Sequence, residues 1–465
     1  MFCGCPVDPG AGPNERVCAV CAGMPGSLPV INRRAVEFAV RTALALGCEV
    51  SPTTKWDRKS YFYPDLPKNY QISQYDMPIG LRGSFTIPTK EGPRTIRIRR
   101  AHLEEDAGKN VHEGLDHTRV DLNRAGTPLL EIVTEPDIAS AEEAYAFATE
   151  LQRLVVWLGV SEAVMQKGQM RFEPNVNVAI REGGREYRTP IAEVKNLNSF
   201  KAVRGAIAFE VERQVGEWNA DHEYTLEKHG KMNFGWDDGR GVTEFQRGKE
   251  EAHDYRYFPD PDLVPVVFDA AWLAGERAAV GELPLARQGR LREAFGLSEV
   301  DAATITADRA TSDLFEQAVA AGADGKTLGK QFISFWAAQA NARGATIAGL
   351  GVSAGRIADL AKLTATGTVS ATAAAQIAEK MIGNEQPAAE IAQAAGLVQV
   401  RDETATLAWV EQALAANAQA VADAKGNPKK KQAAIGFLRG QAMKISGGKA
   451  DPKMVGELIE KRLGE

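Results

Sequence analysis

The stretch DRKSYFYPDLPKNYQISQYD, Asp57–Asp76, decides how the first half of this chain is read. Its twenty residues hold four Tyr, one Phe, three Lys/Arg, three Asp and two Pro. They show neither the 3.6-residue rhythm of a packed helix nor the 2-residue rhythm of a half-buried strand. Pro64 and Pro67 push the residues before them to extended geometry, so the centre is expected to be an irregular loop. Such a density of aromatic, cationic and anionic groups suits recognition of a planar, phosphorylated ligand. It suits as well a Tyr-rich surface loop packed on a sheet with its charges solvated, and composition does not separate the two.

The chain has 465 residues, enough for two or three domains with real cores. An apolar fraction of 44% and a charged fraction of 25% are those of a soluble globular protein. No apolar run is long enough to span a bilayer, and the start, MFCGCPVDPG, is no signal peptide. A cytoplasmic protein without membrane contact is therefore expected. The net charge of -6 argues against a generic nucleic-acid coat, so any nucleic-acid contact must come from a local basic patch.

Five cysteines are too few for a disulfide scaffold in a chain of this size. Four of them cluster: Cys3-x-Cys5, twelve residues, then Cys18-x-x-Cys21. Four thiolates so spaced can meet at one tetrahedral zinc, which would be structural because four sulfurs leave no open position. Two unrelated pairs of buried cysteines are the alternative. Cys48, in TALALGC, reads as a core residue.

Asn32 is placed to cap a helix to about Leu46, with Val36, Val40, Ala43 and Leu44 on one face and Gly47 closing it. TIRIR, Thr95–Arg99, alternates as a strand. Ser140-Ala-Glu-Glu143 is a capping box opening a helix whose stripe is Ala144, Phe147, Leu151, Leu154, Val155 and Leu158, ending at Gly159. VNVAI, Val176–Ile180, reads as another strand. Strands and helices alternate to about residue 270, as in one mixed α/β domain. Beyond it Ala rises, aromatics thin out, and segments such as ATLAWVEQALAANAQAVADA favour helix. The stretch LTATGTVSATAAA, Leu363–Ala375, is expected to be a hinge between helical subdomains. The class is α+β: a mixed domain over 1–270, a helical domain over 271–375 and a helical tail over 376–465.

Several polar blocks interrupt the first half. RAHLEEDAGK follows TIRIR and offers His102, Glu104, Glu105 and Asp106, a set able to hold Mg²⁺ or simply to form an exposed acidic turn. Glu131 interrupts the apolar run LLEIV, so it is edge-facing or functional, while Glu135-Pro-Asp137 reads as the turn into the next helix. MRFEPNVNV sets Arg171, Glu173, Asn175 and Asn177 at alternate positions, and EVKNLNSF adds Glu193, Lys195, Asn196 and Asn198. HDYRYFPDPDLVP, His253–Pro265, repeats the chemistry of the opening loop. Together these supply acids for a metal, cations for phosphate and aromatics for a base. There is no GxxxxGK[ST] loop, no kinase-type Gly-rich loop and no evident Ser or Cys nucleophile with a His partner. In the tail, Lys429, Lys430 and Lys431, with Arg439, Lys444, Lys449 and Lys453, form a cationic cluster. These are either solvated lysines or contacts to an RNA backbone.

The blocks DRKSYFYPDLPKNYQISQ, HLEEDAGK, DLNRAGTPLLEIVTEPD, EVKNLNSF, DYRYFPDPDLVP and, near the end, FLRGQAMKISGGKADP resemble, in this order, the B-subunit family of the tRNA-dependent Asp/Glu amidotransferases. The resemblance covers nearly the whole chain. It implies a catalytic cradle followed by helices ending in a tRNA-binding tail. It also implies ATP- and Mg²⁺-dependent activation of the side-chain carboxylate of Glu-tRNA(Gln) or Asp-tRNA(Asn), then amidation by ammonia from a glutaminase A subunit, with a small C subunit as third partner. Carried over by motif, Glu105, Glu193 and Glu173 become carboxylates of the ATP and metal site, with Lys59 and Tyr61 beside the nucleotide. Cys3, Cys5, Cys18 and Cys21 become a structural zinc loop, and Lys429, Lys430, Lys431, Lys444 and Lys449 face tRNA.

Family chains begin with a strand bearing a Glu and a His of the metal site, whereas this sequence starts inside the cysteine loop. A late start site or a truncation is one expectation. The other is a non-catalytic tRNA-binding and assembly subunit. Smaller departures are Gln246 and Gly248, where Met and Ser are expected.

Overall fold

The computed structural model describes residues 1–112, 116–248, 255–399, 402–426 and 430–464. His253 and Asp254 of the second aromatic block, and Lys429 of the tail cluster, lie outside them. Two compact units emerge, Met1–Leu283 and Pro284–Glu465.

The first unit is mixed. Asn32 accepts from the Arg34 and Ala35 N–H groups and opens helix α1, Arg33–Ala45, which buries Val36, Ala39, Val40 and Ala43. Gly47, at φ +64°, turns the chain into strand β1, Glu49–Val50. Next come β2 (Asp57–Ser60), β3 (Tyr70–Ser73), β4 (Gly80–Thr89), β5 (Gly92–Glu105) and β6 (Pro128–Thr134). Strands β1, β4, β5 and β6 form an antiparallel sheet in the order β1-β4-β5-β6, placing β6 at an edge.

The alternation in TIRIR survives: Ile96 and Ile98 are buried while Arg97 and Arg99 face solvent and pair with Asp137 and Glu135. A bulge interrupts the β5–β6 ladder between Ile98 and Arg100. Past it the alternation stops, and Ala101 through Glu105 are all buried, because β3 packs against this end of β5. That change puts polar side chains into the interior.

Ser140 caps helix α2, Ala141–Trp157, by accepting from the Glu143 N–H. The Glu143 carboxylate reaches back to the Ala139 N–H, one residue beyond the usual capping-box donor. The α2 stripe packs on the sheet, with Phe147 edge-on to Phe85 at 5.8 Å.

The second sheet has the order β7-β8-β9-β10, from β7 (Asn175–Val176), β8 (Ile191–Lys195), β9 (Lys231–Asp237) and β10 (Val242–Arg247). Its β8–β9 pair is parallel, which requires a crossover, and helix α3 (Phe200–Ala220) supplies it. The expected strand Val176–Ile180 is divided. Val178 instead exchanges hydrogen bonds with Thr189, and a separate ribbon starts at Ala179. MRFE likewise carries no strand pairing, since Pro174 has no donor and Arg171 turns to Asp106.

The two aromatic blocks meet. A short strand, β11 (Phe258–Pro259), joins a three-stranded sheet in the order β11-β2-β3. Arg58 donates to Asp260 at 2.7 Å, and the Ser60 N–H donates to the Tyr255 carbonyl. The helix α4, Ala270–Val280, returns to α1 through Glu276 and Arg41, so this unit runs on to Leu283.

The second unit is helical. One core, from Leu291 to Ala392, centres on Phe315, Phe332 and Trp336. The expected hinge at Leu363–Ala375 is part of it. Val369 is buried and bridges Val398, and Ala373, Ala374 and Ile377 fill the same core, so a boundary after 375 would cut through packed residues. A second core gathers Val410, Leu438, Ala442, Val455 and Ile459. The long Ala-rich segment is two helices, Glu403–Ala416 and Ala418–Gly426, broken at Asn417, whose amide donates to the Ala413 carbonyl.

Candidate functional site

Among the described residues two groups are arranged to hold a metal ion. The first is the cysteine set. Cys3, Cys5, Cys18 and Cys21 place their sulfurs within 4.8 Å of one another, with Cys3–Cys21 at 3.3 Å and Cys18–Cys21 at 3.7 Å. Four sulfurs at about 2.3 Å from a tetrahedral zinc stand roughly 3.8 Å apart, so the set fits that ion. The Cys21 and Val20 N–H groups hold the Cys18 thiol down to about 7, while burial pushes Cys21 up to about 12. The loop between the pairs is docked by reciprocal bonds. Asn14 donates to Val120 and accepts from the Leu122 N–H, and Asn123 accepts from the Arg16 N–H and donates to Gly12.

The second group lies at the buried end of β5. His102 and Glu104 share one face of that strand, and Glu131 sits directly across from His102 on β6. The His102 Nε2 is 3.6 Å from each carboxylate, too far for a hydrogen bond and open to an ion between them. The His102 Nδ1 is buried without a partner among the described residues. Nitrogen and oxygen donors with one open side suit a divalent cation that keeps positions for water and phosphate. Burial alone would raise Glu104. His102, Lys59 and the Ser73 hydroxyl outweigh it and hold the carboxyl below its usual range. Burial raises Glu131, helped by Glu104.

Lys59 and a run of tyrosines border this group. The Lys59 ammonium lies 4.9 Å from the Tyr255 ring and 5.7 Å from that of Tyr61. Burial pushes the phenols of Tyr61 and Tyr257 up to about 12, with Glu104 adding to both. Both are neutral donors at physiological pH.

Glu105 is placed elsewhere. Being next to Glu104 on a strand, it points to the opposite face, towards the cysteine loop. There both its oxygens take the Lys68 ammonium, at 2.6 and 2.7 Å, and one accepts from the Ile72 N–H. Burial still raises it. Asp106 turns to Arg124 and Arg171. Glu193 belongs to the second sheet, and Glu173 lies just before its first strand. Glu193 pairs with Lys231 at 3.2 Å opposite Asn175, and Glu173 faces Lys195 at 4.0 Å. Sequence reasoning names His102 and Glu104 only as members of a block and passes over Tyr255 and Tyr257. The i, i+2 spacing of His102 and Glu104 is the signal that could have found the pair.

Lys430, Lys431, Lys444 and Lys449 are exposed, Lys431 and Lys444 on the helix Lys431–Ile445 that also exposes Phe437. No helix among the described residues is long and apolar enough to cross a membrane.

Residues 1–274 match the family described as the GatB/GatE catalytic domain, and residues 313–463 the GatB domain. The chain belongs to the amidotransferase B-subunit family. The B subunit of the aspartyl/glutamyl-tRNA(Asn/Gln) amidotransferase of Moorella thermoacetica is 45% identical over 99% of this chain and 96% of its own length. Its counterpart in Rhodopirellula baltica is 43% identical over 99% and 92%, and that of Brevibacillus brevis 42% over 100% and 95%. Membership in the family agrees with the α+β class, a mixed unit followed by helices.

Proposed function

We propose that this chain activates the side-chain carboxylate of Glu-tRNA(Gln), Asp-tRNA(Asn) or both with ATP and presents it to ammonia, as a cytoplasmic ligase subunit. The ammonia would come from a glutaminase A subunit, with a small C subunit completing the heterotrimer. In the reaction a carboxylate oxygen attacks the γ-phosphorus and the bond to ADP breaks. Ammonia then attacks the acyl carbon, and phosphate leaves with the electron pair of the C–O bond.

The observation that carries the reading is the meeting of Lys59, the His102–Glu104–Glu131 group and the tyrosines at one end of β5, in a chain of this family. Phosphoryl transfer asks a protein mainly for positioning and charge neutralisation, which these groups supply. Mg²⁺ held by His102, Glu104 and Glu131 would neutralise phosphate charge. Lys59 would hold the γ-phosphoryl oxygens, and the Tyr61 hydroxyl would donate to the side-chain carboxylate that accepts the phosphoryl group. Glu105 fixes β5 beneath Glu104 through Lys68, and Glu173 and Glu193 keep Lys195 and Lys231 in place on the second sheet. Cys3, Cys5, Cys18 and Cys21 hold a structural zinc, and the tail lysines meet tRNA phosphates.

The test is amidation by the reconstituted three-subunit complex with each misacylated tRNA, following ADP and amide together. One ADP per amide is expected, with loss of at least about a hundredfold in turnover for Glu104→Gln and for Glu131→Gln. Unchanged turnover in both variants, or amide without ADP, overturns the reading. Complex formation and tRNA binding without ADP release would favour the assembly-subunit role instead.

A further inference from the structure

Four aromatic rings touch one after another, from the pair beside Lys59 to an exposed ring. Tyr61 and Tyr255 meet at 6.1 Å and 68°, Tyr255 and Tyr257 at 6.3 Å and 78°, and Tyr257 and Tyr75 stack at 4.5 Å and 17°. Lys59 sits over the first two. The last ring, Tyr75, is 58% exposed even with Tyr257 against one face.

An exposed aromatic at a loop ordinarily has freedom to move, but the backbone here is pinned on both sides. The Tyr75 N–H donates to the Asp57 carboxylate at 3.0 Å, and Asp57 is itself buried and held by Lys55 at 2.5 Å. The Tyr75 carbonyl accepts from Arg100 at 3.0 Å, and the same guanidinium takes the Gln74 carbonyl. Two charged side chains from separate strands thus hold a large ring in the open. Packing against Tyr257 covers one face only and leaves more than half of the residue in solvent.

We propose that the outer face of Tyr75 is a stacking ledge for the adenine base of an adenosine ligand whose reacting end, phosphoryl or acyl, lies at Lys59 and the His102–Glu104–Glu131 group. The inference rests on the ATP-dependent reading above. The ring series connects the ledge to Lys59, and Arg100 and Asp57 act as positioning residues for the ledge. A ring face offers planarity without hydrogen-bond readout, so the ledge gives affinity more than discrimination between bases. Two sources of adenine exist in the proposed reaction, ATP and the 3′-terminal adenosine of the acylated tRNA.

The experiment uses the three-subunit complex carrying Tyr75→Ala, Tyr75→Phe or Arg100→Met. KM and kcat are measured for ATP and for misacylated tRNA separately. In parallel, equilibrium binding is measured for ADP and for an acceptor-stem RNA ending in adenosine. Loss of one base-stacking interaction corresponds to roughly a 5- to 150-fold weakening. Tyr75→Ala is expected to raise KM and Kd by that factor for one of the two ligands with kcat changed far less, and Tyr75→Phe to restore both. Arg100→Met is expected to give a smaller rise in the same ligand's KM.

A penalty confined to ATP and ADP assigns the ledge to ATP. A penalty confined to the RNA, and absent when its terminal base is removed, assigns it to the acceptor end. Affinities for both probes within about twofold of wild type in Tyr75→Ala, or equal losses in the Ala and Phe variants, overturn the proposal. A wild-type complex that releases no ADP with misacylated tRNA defeats the underlying reading, and the ledge is then judged by the two binding measurements alone.

Discussion

Lys68→Met removes an ammonium that touches both oxygens of Glu105, whose side chain is 4% exposed against 16% for the lysine. Burial already raises Glu105 above its ordinary 4.5 despite the lysine. In the variant the carboxylate keeps the Ile72 N–H as a donor and relieves its burial by taking up a proton. At pH 7 that proton costs the variant at most about 3 kcal/mol, close to what breaking a buried pair usually costs. At pH 5 it costs less than about 1 kcal/mol.

The sign follows from the raised native value. Stability linked to Glu105 is fully present below its ordinary pKa and is lost as pH rises through the higher native one, so the variant's deficit grows with pH. Calorimetry on the full chain, following the transition of the Met1–Leu283 unit, is expected to show a fall of roughly 6–12 °C at pH 7 and a few degrees or less at pH 5. Lys68→Met with Glu105→Gln is expected to recover most of the loss, because no charge then remains to be neutralised. Equal deficits at the two pH values, or a double variant no better than the single one, would refute the reasoning.

Gly83→Ala would place a Cβ 2.5 Å from both the Cys48 sulfur and the Leu46 carbonyl, so a loss of about 1–3 kcal/mol is expected in denaturant unfolding. Gly216→Ala, exposed in α3 with open space around its Cβ position, is expected to gain about 0.5–1 kcal/mol in the same assay. Metal analysis is expected to find about one zinc per chain in wild type and none in Cys21→Ser, with a lower melting temperature that added zinc does not restore. Lys430→Glu with Lys444→Glu is expected to weaken tRNA binding and to flatten its salt dependence by roughly one logarithmic unit for each phosphate no longer neutralised. An unchanged slope would remove these lysines from the interface.

What the sequence disclosed was whatever local chemistry controls. The caps at Asn32 and Ser140, the Ile96/Ile98 alternation and the α2 stripe depend on neighbours within a few residues, and all appear as read. The cysteine spacing brings four sulfurs together for the same reason. Strand alternation puts Glu104 and not Glu105 beside His102, but what each face of β5 meets is a different kind of question. It is set by Glu131 on one face and Lys68 on the other, residues far from the strand in sequence. The union of the two aromatic blocks hangs on the antiparallel pairing of residues 57–58 with 258–259, which no spacing rule anticipates. The Gly/Thr/Ser run at 363–375 misled because turn-forming composition marks a change of direction, and a change of direction inside a core looks the same in sequence as one between domains.

The back-to-back placement of Glu104 and Glu105 makes the strand intolerant of small length errors. Inserting or deleting one residue between His102 and Glu104 would exchange the two carboxylates, sending the wrong one to Lys68 and the wrong one to His102. Both centres would fail in a single event, though neither had been deprived of a residue. Length variation among related chains should accordingly collect in the Thr89–Gly92 hairpin, upstream of the bulge, and leave the stretch from His102 to Glu104 at constant count.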